Sequence, residues 1–190
     1  MTICIFPGTF NPIHNAHIKI AEFVLRKYNF EKIIFIPSYI PPHKDVEPNL
    51  AQHRLNMVKL AIRQNPKFEV SDIEYQYNSK SYTLITVNKL IETYNIKEKI
   101  NFIIGADAFV NLNSWYKADE LKTKVHFIVF PRKDDNIVAV VEKYKDLGWD
   151  FELTNTDYIN ISSTEVRAKK LKSVDKNVED YISKNGLYKA

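Results

Sequence analysis

Two histidines three residues apart, His14 and His17, follow an apolar run that ends at Pro7-Gly8. At the start of a helix, positions i and i+3 share one face. A helix N-terminus presents unpaired N–H groups and a partial positive charge, which suits phosphate. Imidazole N–H groups placed there can donate to phosphate oxygens. Gly8 lets the backbone approach a ligand closely. A polar turn with two packing histidines would show the same spacing. Zinc is a weaker reading, because no Cys/His partner motif supplies further ligands. A serine hydrolase is weaker still, for want of a G-x-S-x-G elbow.

A second cluster is Ser162-Ser-Thr164 with Arg167 one helical turn on. Hydroxyls and free N–H groups at a helix start, with a guanidinium on the same face, can grip phosphate in two-pronged fashion. An ordinary N-cap beside a surface arginine would look the same. Lys44 lies on a proline-stiffened loop, where it is either a mobile point charge for a phosphate or a solvated lysine. Asp107 follows Gly105 at a strand exit and can serve ribose hydroxyls or Mg²⁺ through water, or cap a helix. Trp115 stands among Asn113, Ser114 and Tyr116, so its indole is expected to be exposed and suited to stacking on an aromatic ring, or to pin its own loop. Trp149 is read as structural, and His53 and His126 as non-catalytic.

These residues need elements to position them. Ile3–Phe6, Lys32–Ile36, Phe68–Val70, Ile100–Ile104 and Val125–Phe130 are short apolar runs with turn signals after them, and Phe151–Leu153 is a candidate edge strand. Between them lie helical spacings over 16–28, 50–64, 83–94, 106–112, 118–122 and 137–144, with terminal helices at 163–172 and 178–183. The alternation predicts an α/β, doubly wound, mostly parallel sheet in one domain over 1–190, with a C-terminal helical portion from about 162. Ligands then sit beyond the carboxyl ends of the strands. Ser38 to Pro48, with three prolines and no periodicity, is a long and therefore suspect loop.

The composition narrows the classes. Of 190 residues only four are glycine, at 8, 105, 148 and 186, which excludes the G-x-G-x-x-G and G-x-x-x-x-G-K-[ST] phosphate loops. The single cysteine, Cys4, lies in an apolar strand and cannot form an internal disulfide, so a cytoplasmic setting is expected. No apolar stretch spans a bilayer, so no membrane partner is expected. The net charge of +4 is spread without a basic arm, which favours anionic small molecules over nucleic acid.

Gly8-Thr-Phe-Asn-Pro-Ile-His-Asn-Ala-His17 resembles the G-x-F-x-P-x-H-x-G-H signature of the adenylyltransferases that build dinucleotide cofactors. Ile36 to Lys44, Ser81-Tyr-Thr83, Gly105-Ala-Asp107 with Trp115, Phe130-Pro-Arg132 and Ile161 to Arg167 are similar, in the same order, to segments of the bacterial nicotinate-nucleotide adenylyltransferases. The resemblance covers most of the chain. It implies a Rossmann-like fold and transfer of AMP from ATP to nicotinate mononucleotide, with Mg²⁺. It implies that His14 and His17 meet the triphosphate, with Gly8, Thr9 and Phe10 on the same turn. Gly105, Asp107, Ser162, Ser163, Thr164 and Arg167 would complete the ATP site. Catalytic charge would come from His14, His17, Lys44 and Arg167. Trp115 would stack on the pyridine ring, backbone N–H groups near Thr83 and Tyr116 would hold its carboxylate, and Lys44, Tyr82 and Arg132 would line the mononucleotide site.

Three positions depart from the family pattern. Pro7 stands for a glycine and lacks an N–H. Ala16 stands for the glycine between the histidines, where its methyl is expected to crowd a nucleotide. Tyr77 stands for an arginine. Adenylyl transfer to nicotinamide mononucleotide or phosphopantetheine, and a non-catalytic nucleotide- or RNA-binding module, are the alternatives. Oligomeric state is not legible.

Overall fold

The computed structural model describes residues 2–77, 79–131, 137–154, 163–168 and 173–189. Six strands form one sheet: β1 (Ile3–Gly8), β2 (Lys32–Pro37), β3 (Phe68–Val70), β4 (Ile100–Gly105), β5 (Val125–Phe130) and β6 (Phe151–Leu153). Every pairing is parallel and the order is β3-β2-β1-β4-β5-β6. The expected edge strand at Phe151 is β6, bonded to β5 through the Phe127–Phe151 register.

Alternation along each strand explains the two layers of helices. Cys4, Phe6, Ile33 and Phe35 face α1 (Asn15–Lys27), α2 (Ala51–Ile62) and the C-terminal α8 (Lys176–Asn185), where they meet Val24, Met57, Val58, Val178 and Ile182. Ile3, Ile5, Ile34 and Ile36 face the opposite layer. That layer is α3 (Thr83–Thr93), α4 (Ala106–Phe109), α5 (Ala118–Lys122) and α6 (Val138–Asp146), contributing Leu84, Val87, Leu90, Phe109, Leu121 and Tyr144. Strands buried on both faces read as unbroken apolar runs, which is how they appear in the sequence. Cys4 is fully buried among them, and burial pushes its thiol up.

Strand order places the site. The chain runs outward from β1 to β2 and β3, then returns to the other side of β1 for β4. The carboxyl ends of β1 and β4 therefore diverge into connections that leave in opposite directions, and a crevice opens between them. A five-residue helix, α7 (Ser163–Arg167), also reaches this crevice. Among the described residues no helix is long and apolar enough to cross a membrane.

Candidate active site

A cleft of about 1130 Å³ lies at this switch point, walled by the ends of β1 and β4. Gly8, Thr9, Phe10, His14 and His17 line it from the β1–α1 turn. Gly105 and Asp107 line it after β4, Lys44 from the loop after β2, and Thr164 and Arg167 from α7. Tyr82, Thr83, Trp115 and Tyr116 complete the wall. Ser163 opens α7. Ser162 and Arg132 lie outside the described residues.

The β1–α1 turn is held by its own side chains. Phe10 adopts φ +48°, and its ring lies over Gly8 so closely that a Cβ there would meet Phe10 Cζ at 3.0 Å. The glycine expected to admit a ligand is thus also required by Phe10. His14 caps α1, and its backbone N–H donates to His17 Nδ1 at 3.0 Å. The two imidazoles stack, with centroids 3.7 Å apart and planes 21° from parallel. Because His17 Nδ1 accepts, the ring proton sits on Nε2, which becomes its donor. Ala16 is buried and is not among the residues that line the cleft, so its methyl packs inward.

Arg167 Nη1 donates to the Asn11 carbonyl at 2.7 Å, and Nη2 donates to Thr164 Oγ1 at 3.2 Å. The expected shared face of Thr164 and Arg167 is therefore present. The Tyr188 hydroxyl, from the C-terminal segment, donates to Asn11 Oδ1 at 2.6 Å.

On the other wall, Thr83 opens α3, whose first N–H groups have no partners within the helix. Tyr82 stacks on Tyr116 at 4.7 Å. Trp115 is half-buried and tilts against Phe102 at 6.4 Å, so its indole is less exposed than its polar neighbours suggest. The more open ring is Tyr116, 43% exposed. Ser81 does not cap α3. Its hydroxyl instead accepts from the N–H groups of Tyr39 and Ile40, at 3.0 and 3.1 Å, and fixes the chain where β2 ends.

The sequence reading missed Arg54 and Glu74. Arg54, 1% exposed, donates to the carbonyls of Thr9 (2.8 Å), Ser38 (2.6 Å) and Tyr39 (3.1 Å). One buried guanidinium thereby ties the β1–α1 turn to the loop carrying Lys44. A signal was available, since Arg54 falls on the apolar stripe of α2, three after Ala51 and four before Val58. Glu74, 4% exposed, lies between Ile73 and Tyr75 with no such clue.

Other residues do structural work. Trp149 Nε1 donates to Asn113 Oδ1 at 2.8 Å. His126 lies between Asp150 and Glu152, and His53 Nδ1 pairs with the Tyr181 hydroxyl at 2.8 Å. Tyr77, off the cleft, hydrogen-bonds Thr86 Oγ1 at 2.8 Å and carries the Lys89 ammonium 3.9 Å over its ring. A cation does occupy that neighbourhood, but α3 supplies it. Among the described residues no group of three or more His, Cys, Asp or Glu is arranged to hold a metal ion.

Residues 5–169 match the cytidylyltransferase-like family model. A probable nicotinate-nucleotide adenylyltransferase of Caldicellulosiruptor saccharolyticus is 39% identical over 199 residues, covering 100% of both chains. The chain belongs to the nicotinate-nucleotide adenylyltransferase family. The nicotinate-nucleotide adenylyltransferase of Bacillus subtilis is 35% identical over 99% of this chain and 98% of its own. In fold, a Plasmodium falciparum nicotinic acid mononucleotide adenylyltransferase complexed with NaAD superposes with a TM-score of 0.77. It is 23% identical and covers 98% of this chain and 96% of that one.

Proposed function

We infer that this chain transfers the adenylyl group of ATP to nicotinate mononucleotide, yielding deamido-NAD and pyrophosphate. The observation that carries this reading is one cleft shared by two kinds of wall. His14, His17, Thr164 and Arg167 offer donors suited to a polyphosphate, while Tyr82, Thr83, Trp115 and Tyr116 offer rings and a helix start suited to a charged pyridine.

The mononucleotide phosphate attacks the α-phosphorus in line, an O–P bond forms, and the bond to pyrophosphate breaks. No covalent enzyme intermediate is required. Such transfers depend on positioning and on stabilising charge as it develops. His17 donates from Nε2, with His14 stacked on it. Arg167 exchanges its contact with the Asn11 carbonyl for phosphate oxygens, and Lys44 brings a mobile ammonium from its loop. Mg²⁺ arriving on ATP would be held mainly by the phosphates, and the Asp107 carboxylate in the cleft wall would be an oxygen donor for it. Mg²⁺ on the phosphates would neutralise charge on the departing pyrophosphate.

Residues 1–190 are read as one catalytic domain, supported by the Tyr181 hydroxyl of α8 bonding His53 and Asn56 of α2. The setting is read as cytoplasmic, where the buried Cys4 thiol stays reduced. Pyrophosphate release with nicotinate mononucleotide, nicotinamide mononucleotide and phosphopantetheine in parallel tests the assignment. The highest kcat/KM is expected with the first. Turnover of phosphopantetheine alone would reassign the chain.

A further inference from the structure

Beneath the cleft lies a buried ionisable group that this mechanism leaves unused. Glu74 sits in the short turn Ile73–Gln76 after β3, is almost wholly buried, and contributes to the cleft wall. Its Oε2 accepts from Thr86 Oγ1 at 2.7 Å. Thr86 is one helical turn beyond Thr83, so the carboxyl lies against the first turn of α3. Its Oε1 has no well-formed hydrogen bond among the described residues.

A buried carboxyl oxygen without such a bond is costly. The groups facing Glu74 come from three directions. Arg54 of α2 and the hydroxyls of Thr86 and Ser81 favour its charged form, as does the Tyr39 N–H. Tyr75 and Tyr77 flank it. Desolvation outweighs the favourable contacts and raises its pKa to about 7.

We propose that Glu74 is a specificity-determining residue, setting how strongly the cleft prefers a mononucleotide with a pyridine carboxylate over one with a pyridine carboxamide. The proposal rests on the reading that the pyridine ring lies against Thr83. Protonated, Glu74 leaves the N–H groups at the start of α3 free to attract a carboxylate. Ionised, it sets a negative charge behind those same groups and opposes one, while a neutral carboxamide feels little of it. Acid-over-amide preference should therefore be greatest below neutrality and fall as pH rises.

The test is the ratio of kcat/KM for the two mononucleotides between about pH 6 and about pH 8.5. Both carry the same phosphate, so its titration cancels. In the native enzyme the ratio should fall at least about fivefold, with its inflection near neutrality. Glu74→Gln, which keeps the shape without the charge, should hold the ratio at its low-pH value. Thr86→Val, which removes a donor to the ionised carboxylate, should move the inflection to higher pH. A flat ratio in the native enzyme, or the same fall in Glu74→Gln, would overturn the proposal. Absence of turnover with either mononucleotide would overturn the function itself, and this proposal with it. That outcome is distinct from a flat ratio at full turnover.

Discussion

The backbone N–H of His14 donates to His17 Nδ1, and the two rings stack at 3.7 Å. His17 therefore closes the turn through Nδ1, and in the proposed mechanism it has a second, separable task, donating from Nε2 to phosphate. Asparagine reproduces an acceptor near Nδ1, and glutamine reproduces a donor near Nε2. His17→Asn should keep the thermal midpoint within a few degrees but lose at least about tenfold in kcat/KM, roughly 1.4 kcal/mol of transition-state stabilisation. His17→Gln should retain more activity and lose more stability. Kinetics paired with thermal melts would read both, and the reverse ordering would refute the division.

Arg54 should matter to both substrates. Arg54→Met keeps bulk but leaves three carbonyls, those of Thr9, Ser38 and Tyr39, without their donor. Leaving a buried carbonyl without its donor costs about 1–3 kcal/mol. Denaturant unfolding should show a loss of that order. At temperatures where the variant stays folded, KM should rise for ATP and for the mononucleotide together. A rise in one alone would mean that Arg54 supports a single wall.

The C-terminal segment should reach the nucleotide turn through Tyr188. Its hydroxyl bonds Asn11 Oδ1, while Arg167 holds the Asn11 carbonyl. Tyr188→Phe should cost about 1 kcal/mol of stability and raise KM for ATP more than KM for the mononucleotide. Steady-state kinetics with each substrate varied in turn would show this.

Much of this was legible in the sequence. Five apolar runs and a candidate edge strand correspond to six parallel strands, and the four inner ones, β2, β1, β4 and β5, are mostly apolar because both their faces are covered. The signature around His14 and His17 is local, so the turn it forms is local too. The contacts of Ser81, Trp115 and Arg54 are not legible in the sequence, for another reason. Their partners, Tyr39 and Ile40, Phe102, and Thr9, Ser38 and Tyr39, lie far away in sequence, and only the fold brings them together. Glu74 looks like any charged residue in a turn until burial is known.

Glu74 also makes stability depend on pH. Its carboxyl titrates near 7 in the folded protein against an ordinary value of 4.5. The folded state therefore keeps a proton that the unfolded state releases. The contribution is complete below the ordinary value, declines as pH rises toward 7, and is absent above it. The size is on the order of 3 kcal/mol. Calorimetry should find a falling thermal midpoint over this window in the native protein and a flatter one in Glu74→Gln. Equal slopes would remove Glu74 as the source.

The most direct measurement follows the α-phosphorus itself. ATP labelled at that position is mixed with a stoichiometric amount of enzyme, nicotinate mononucleotide and Mg²⁺, and the products are separated during a single turnover. Direct in-line transfer in this cleft predicts label in deamido-NAD, unlabelled pyrophosphate in equal amount, and no label on protein at any time. Label that stays in ATP, appears only as free AMP, or becomes attached to the protein would contradict it.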